Sequence, residues 1–367
     1  MEGLTLSYNI LIAILLALAL ALVFTPWVRK VAFKIGAIDQ PEQRKVHSKI
    51  MPRMGGLAVY LAFAAAVLFT QQLDDRLIGL LVGGLVIVLL GILDDTKGLP
   101  AKVKLVGQIA AAAVVIPFDI QIDWITNPIN GDSVYLGYWS IPLTIFWIIS
   151  VTNAVNLIDG LDGLAGGTSF IAALTLAAVT WKMGGLGMEV AGLALILAAA
   201  TLGFLKYNFY PAKIFLGDTG SMFLGYALST LAVMGVAKAA TAISVIVPMV
   251  ILGIPLLDVV FAILRRYQSH RPIFQPDKEH LHHRMMALGF SHKQTVLAIY
   301  VVNLLLGISA FLLTVLSDSQ AVLLLLILAV VIIVAANKIG VIGKAAQTGI
   351  QSTVSVSQNL QQRSSKM

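Results

Sequence analysis

The chain has 367 residues, 58% of them hydrophobic and only 12% charged, with a mean hydropathy of +0.90. A soluble domain carries about 25% charged residues, so the solvent for most of this chain is lipid and a soluble globular fold is excluded. With no Cys, disulfides and thiolate metal sites are excluded too, and the net charge of +7 becomes a question of where the cations sit.

Apolar runs able to cross roughly 30 Å of hydrocarbon at about 1.5 Å per residue recur along the chain. They fall at 6–27, 56–70, 77–93, 103–118, 140–157, 164–181, 187–205, 220–237, 242–264, 295–315 and 320–337. The first lacks a basic n-region and a small-residue cleavage site, so it is expected to be a retained helix. Residues 119–139 set Asp119, Asp123, Pro128, Asn130, Gly131 and Asp132 among Ile, Trp, Val and Tyr, which predicts a short external β-hairpin around the Asn130-Gly131 turn. Pro248, Gly253 and Pro255 inside the ninth run predict a bend that opens a groove between helices. Asp258 in the same run is either a buried structural acid paired to a neighbouring helix, the favoured reading, or part of a site. The expected fold is all-α: a polytopic transmembrane helical bundle of about 11 helices, as the runs count. An integral-membrane domain over 1–340 is expected, followed by a polar cytoplasmic tail over 341–367.

Eleven spans put the termini on opposite faces. Of the 25 Lys and Arg, 22 then share one face and only Arg76, Lys182 and Lys238 lie on the other. The positive-inside rule makes the rich face cytoplasmic, with the N-terminus outside and the C-terminus inside. The basic balance is therefore topological, and no nucleic acid partner is expected. No internal repeat and no matched pair of broken helices points to an inverted-repeat transporter.

Four polar clusters fall on the cytoplasmic side of these spans, where ionisable groups are costly unless they function. Asp94-Asp95 close the third run, and adjacent carboxylates favour a divalent cation or a shared proton. Lys102 and Lys104 follow, as phosphate holders or headgroup anchors. Asn153, Asn156 and Asp159, spaced three apart, are expected on one helical face, with Asp162 beyond and Gly160, Gly163, Gly166 and Gly167 admitting close backbone approach. Phe215-Leu216-Gly217-Asp218-Thr219-Gly220-Ser221 precedes the eighth run. There Thr219 or Ser221 is expected to cap the helix and leave Asp218 for a metal, unless Asp218 is itself the cap. His280, His282 and His283 beside Arg284 match no common zinc spacing and fit better as donors to an anionic ligand.

Over nearly its whole length the chain resembles the polyprenyl-phosphate N-acetylhexosamine-1-phosphate transferases. The resemblance rests on five signatures in order: His47-x-Lys49 leading to Pro52-Arg53-Met54-Gly55-Gly56; Asp94-Asp95 with Lys104; Asn153 to Gly163; Phe215-Leu216-Gly217-Asp218; and His280-Leu-His-His-Arg284. The last resembles the branch using UDP-N-acetylglucosamine and undecaprenyl phosphate. In the branch that makes peptidoglycan lipid I, a third His stands where Arg284 stands here. The family's second Lys after the acidic pair is Gly98 in this chain, with Lys97 one place early.

The resemblance implies Mg²⁺, with Mn²⁺ as a substitute, and transfer of N-acetylglucosamine-1-phosphate to the lipid with release of UMP. It implies Asp218 as the main metal ligand, with Asn156 or a member of the Asp94/Asp95 pair, Asp95 among them, assisting. It casts Asp94, Asp95, Asp218 and His282 in catalysis. Because a phosphate monoester with second pKa of about 6 is already ionised at neutral pH, positioning outweighs proton removal for the acidic pair. Lys49, Lys104, Asn153, Asp159, Asp162, His280, His283 and Arg284 are implied in substrate binding, with Asp159 and Asp162 toward the uridine. The expected partners are UDP-N-acetylglucosamine, undecaprenyl phosphate and the bilayer of a bacterial inner membrane, with a homodimer left open. The rivals are the same chemistry with UDP-N-acetylmuramoyl-pentapeptide or another N-acetylhexosamine donor, and a secondary transporter of an anionic solute.

Overall fold

The computed structural model describes residues 2–40, 50–126, 133–235, 246–268 and 280–338, with side chains from Tyr8 onward. In chain order the elements begin with α1 (Glu2–Ile35), β1 (Ile38–Asp39), β2 (Met51–Pro52), α2 (Gly55–Thr70), α3 (Asp75–Lys97) and α4 (Ala101–Val114). Next come β3 (Trp124–Thr126), β4 (Ser133–Tyr135), α5 (Ser140–Leu157), α6 (Leu164–Met183) and α7 (Leu186–Asn208). The chain continues through α8 (Gly217–Gly235), α9 (Ile246–Ile251), α10 (Gly253–Gln268), α11 (Leu281–Ala287), α12 (His292–Leu313) and α13 (Asp318–Lys338). Eight helices among the described residues are long and apolar enough to cross a membrane, so the chain is a multi-pass helical membrane protein.

The helices follow the apolar runs, and their ends follow local chemistry. The side chain of Asp74 accepts the Leu77 N–H to start α3, and Gly98, left-handed at φ 66°, stops it. The ninth run is broken rather than continuous: α9 and α10 meet at Leu252, beside Gly253 and between Pro248 and Pro255. Residues 242–245, the start of that run, and 236–237, the end of the eighth, lie outside the described residues. So do the hairpin turn with Asn130 and Gly131, and the expected tail. The hairpin strands are present, with Trp124 opposite Tyr135 and Thr126 opposite Ser133.

Two compact units are distinguished, Met1–Leu256 with Val296–Leu316 and Leu257–Thr295 with Ser317–Met367. In the first, α8 is the central helix, buried from Thr219 to Met234 and packed by α2, α3, α5, α6 and α7. Small residues let its neighbours come close. A Cβ on Gly56 of α2 would fall inside the backbone of Gly220, and one on Gly91 of α3 inside that of Thr219. On α1, Ala13, Ala17 and Ala21 form a fully buried stripe four residues apart. Against it lies Gly203 of α7, where a Cβ would meet that of Ala21 at 2.7 Å.

A feature absent from the apolar pattern lies at the N-terminal end of α8. β1 and β2 pair antiparallel, and Arg53 bridges to Phe215 in parallel register. Phe215 N–H donates to Pro52 O, while Gly55 and Gly56 N–H donate to Phe215 O and Leu216 O. This ribbon ties the segment before α2 to the segment before α8.

In the second unit α13 exposes Leu323, Leu326, Ile327, Val330, Val331 and Val334. A helix apolar all round and unburied is suited to lipid.

Candidate active site

Asp218 stands in the first turn of α8, where Gly217 takes φ 74° as the chain turns into the helix. The cap of this helix is neither Thr219 nor Ser221, as expected, nor Asp218. It comes from α3. Asp95 Oδ1 accepts the Asp218 N–H at 3.0 Å, and Asp95 Oδ2 accepts the Thr219 N–H at 3.0 Å and the Thr219 hydroxyl at 2.6 Å. Ser221 instead donates to Gly217 O at 3.0 Å. Arg53 Nε lies 3.2 Å from Asp95 Oδ1, and Arg53 also faces Asp39 at 3.9 Å. The Asp95 side chain has 0% exposure, whereas that of Asp218 keeps 28%, so of these two only Asp218 can meet a ligand without rearrangement.

Asp94 points the other way. Its Oδ1 accepts the Leu99 N–H at 2.6 Å, across the turn from α3 to α4. Its Oδ2 accepts from Lys104 Nζ at 2.6 Å, and the same ammonium donates to Asp218 Oδ2 at 2.8 Å. Asn156, at the end of α5, donates through Nδ2 to Asp218 Oδ1 at 3.0 Å and Ser221 Oγ at 2.8 Å. Its carbonyl oxygen makes no hydrogen bond among the described residues. Asp94, Lys104, Asn156 and Asp218 thus converge from α3, α4, α5 and α8.

The remaining members of the third-spaced run separate. Asn153 donates to Gln108 Oε1 at 2.7 Å and to Ile149 O at 2.9 Å, and accepts from Gln108 Nε2 at 3.2 Å. That reciprocal amide pair joins α4 to α5 and occupies both ends of the Asn153 side chain. Asp159 does not share the helical face of Asn153 and Asn156, because α5 ends at Leu157 and Gly163, at φ 78°, turns the chain into α6. Asp162 Oδ2 accepts the Ala212 N–H at 2.9 Å, and Asn208 holds the Gly163 N–H at 3.1 Å and Ile214 O at 3.0 Å. The Tyr300 hydroxyl donates to Gly163 O. The loop is thereby gripped from three sides. Asp159, half-buried within it, makes no side-chain hydrogen bond or ion pair among the described residues. Burial and the negative charges of Asp218, Asp95 and Asp162, against the opposing Arg53, hold its carboxyl well above the ordinary carboxylate range.

The second unit carries the histidines. Asp258 Oδ2 lies 2.9 Å from His280 Nδ1, and its Oδ1 accepts the Leu281 N–H at 2.9 Å, so this acid is paired, as its sequence context suggests. The His280 and His282 rings stack at 6.0 Å, and His283 lies 4.2 Å from His282. His282 is buried, with no partner for Nε2 among the described residues. Burial, and then the neighbouring imidazoles of His283, His280 and His292, push its pKa down to about 3 against the pull of Asp258, so the ring is neutral at physiological pH. His283 and Arg284 lie on the same short helix. Lys49 lies outside the described residues.

Among the described residues no three His, Cys, Asp or Glu converge as a metal cage. Asp218, partly exposed, and the carbonyl of Asn156 are hard oxygen donors, with the buried Asp94 joined to Asp218 through Lys104. That suits Mg²⁺, which keeps several waters and takes one or two carboxylates plus substrate phosphates.

Residues 77–236 match the profile described as glycosyl transferase family 4. The chain is 46% identical over 306 residues to a probable undecaprenyl-phosphate N-acetylglucosaminyl 1-phosphate transferase of Bacillus subtilis strain 168, covering 83% of this chain and 85% of that protein. It is 38% identical over 315 residues to a decaprenyl-phosphate N-acetylglucosaminephosphotransferase of Mycolicibacterium smegmatis, covering 78% and 77%. To the undecaprenyl-phosphate alpha-N-acetylglucosaminyl 1-phosphate transferase of Escherichia coli K12 it is 31% identical over 316 residues, covering 83% of each.

Proposed function

The chain belongs to glycosyl transferase family 4, and from that membership we propose that it transfers N-acetylglucosamine-1-phosphate from UDP-N-acetylglucosamine to undecaprenyl phosphate. The names of the three relatives, all polyprenyl-phosphate N-acetylglucosamine phosphotransferases, support this donor and this class of acceptor. The observation that carries the reading is the convergence of Asp94, Lys104, Asn156 and Asp218 from four helices.

An oxygen of the lipid phosphate attacks the β-phosphorus of the UDP-sugar, a new diphosphate bond forms, and the bond to UMP breaks. Mg²⁺ bound at Asp218, with Asn156 and Asp94 in support, would neutralise charge on the diphosphate and on the leaving UMP. Mn²⁺ is the expected substitute. Lys104 supplies a positive donor to phosphate oxygens. Asp95 holds the N-terminus of α8, and so the aim of Asp218, rather than touching substrate. Asp159 offers its unoccupied carboxyl to the nucleoside end, and Asp162 shapes the loop that carries it. Within the second unit, His280, His282, His283 and Arg284 supply donors to an anionic ligand. The acceptor is already ionised at neutral pH, so orientation and charge stabilisation dominate over proton removal.

The topology belongs to the same proposal. The eight long apolar helices, with α2, α8 and the broken α9–α10 pair as further spans, give eleven crossings. The distribution of Lys and Arg then sets the N-terminus outside and this site on the cytoplasmic face of the inner membrane, where UDP-sugars are found.

Membranes containing the chain, incubated with radiolabelled UDP-N-acetylglucosamine and undecaprenyl phosphate, are expected to yield a butanol-extractable labelled lipid and free UMP. Label entering lipid only from UDP-N-acetylmuramoyl-pentapeptide would replace the donor. No labelled lipid from either would refute the assignment.

A further inference from the structure

A cation of the protein's own stands between the two carboxylates on which the proposed metal depends. Lys104 Nζ is 2.6 Å from Asp94 Oδ2 and 2.8 Å from Asp218 Oδ2. Asp218 Oδ1 already accepts from Asn156, so Oδ2 is the atom a metal would take, and it is the atom Lys104 holds. A divalent ion on that oxygen and an ammonium at hydrogen-bond distance from it would repel strongly in a site this sheltered.

Lysine is suited to giving way. Its ammonium is a compact point charge on a flexible four-carbon stem, without the planar fork that locks an arginine to a carboxylate. The Lys104 side chain keeps 26% exposure, which leaves it room to swing. Asp94 retains the Leu99 N–H after the lysine leaves, so its orientation does not depend on the ammonium.

We propose that Lys104 is the resident counter-ion of the Asp94–Asp218 pair, that a divalent cation displaces it, and that the freed ammonium then engages an anionic phosphate. The exchange is balanced in charge: one positive charge leaves two carboxylates, two enter, and the lysine charge moves to the incoming anion. Metal loading and phosphate binding are thereby linked through one side chain. Removing Lys104 is expected to tighten cation binding and weaken catalysis at once, a split that a lysine engaging only phosphate, away from the two carboxylates, would not give.

The cation half of the test uses Mn²⁺ alone, read by electron paramagnetic resonance on the full-length chain in detergent, and does not depend on the identity of the sugar. Lys104→Met is expected to bind Mn²⁺ about tenfold more tightly than the unaltered chain, and the exposed neighbour Lys102→Met within about twofold of it. Lys104→Gln gives a second variant should the methionine chain fail to elute as a monodisperse species. Unchanged or weaker Mn²⁺ binding in the Lys104 variants would overturn the proposal, as would equal tightening in Lys102→Met or no saturable Mn²⁺ binding in any chain. The turnover half rests on the transferase reading, and there the Lys104 variants are expected to lose most product formation. If the unaltered chain makes no product while the Mn²⁺ affinities shift as stated, the transferase reading falls and the counter-ion stands.

Discussion

Asp95 on α3 closes the N-terminus of α8 through Thr219, accepting both its hydroxyl, at 2.6 Å, and its backbone N–H, at 3.0 Å. A helix cap normally comes from the residue just before the first turn. Here it comes from 124 positions earlier in the chain, so the position of Asp218 is tied to the packing of α3 against α8. Thr219→Val removes one bond to a fully enclosed carboxylate and is expected to lower stability by about 1–2 kcal/mol, with modest loss of turnover. Asp95→Ala leaves two N–H groups and the Thr219 hydroxyl without their acceptor and Arg53 with the more distant Asp39, for which about 3–5 kcal/mol is expected. Thermal unfolding of the detergent-solubilised variants checks the order. A Thr219→Val chain less stable than Asp95→Ala would contradict the cap.

Gly56 and Gly220 meet backbone to backbone where α2 crosses α8. Gly56→Ala is expected to wedge the helices apart, displacing the first turn of α8 with Asp218, and to abolish turnover while much of the helical content persists. Circular dichroism beside the transferase assay tests this. Full activity in the alanine chain would show that the two helices do not approach as closely as described.

Asn153 and Gln108 exchange amide hydrogen bonds between α4 and α5. Replacing one amide leaves the other unmatched, whereas replacing both by leucine removes the pair together. Asn153→Leu is therefore expected to unfold at a lower temperature than the Asn153→Leu/Gln108→Leu double variant. If the two melt alike, and the donor KM rises in both, Asn153 contacts substrate and the pairing is incidental.

His282 is neutral in the folded chain down to a pH of about 3, whereas in the unfolded chain it takes a proton at its ordinary 6.5. Between those values the unfolded state binds more protons, so stability rises with pH. The contribution is fully present above pH 6.5 and is lost as pH falls toward about 3. His282→Gln cannot titrate and is expected to lose less stability than the unaltered chain as pH falls from 7 to 4, read as the pH dependence of the unfolding temperature. Parallel curves for the two chains would show that the ring is not held neutral.

Much of this architecture is legible in the sequence, because lipid imposes a length and a polarity on each span. The apolar runs located the membrane helices to within a few residues at most of their ends, and Pro248, Gly253 and Pro255 marked the break at Leu252. The four-helix convergence was legible only as residue types at helix ends, since which carboxylate faces which depends on contacts between distant segments. Asp95 reads like its neighbour Asp94 until the enclosed cap distinguishes them. Arg53 stands inside the first of the five signatures, yet its tie to Asp95 follows from a ribbon of two-residue strands that no alternating pattern announces. The spacing of Asp159 predicts a helical face, but the helix ends at Leu157, before Asp159, and the glycines around it carry that contrary signal.

The most direct test of the account is the turnover of Asp218→Asn at saturating Mg²⁺, measured as labelled lipid formed per mole of purified chain. The substitution keeps the size of the side chain and leaves the backbone N–H that Asp95 holds, while removing the charge shared by Lys104 and the proposed metal. Nearly complete loss of product, with an unfolding temperature close to that of the unaltered chain, is the predicted result. Retention of more than about a tenth of the original turnover would contradict the placing of transfer at this carboxylate.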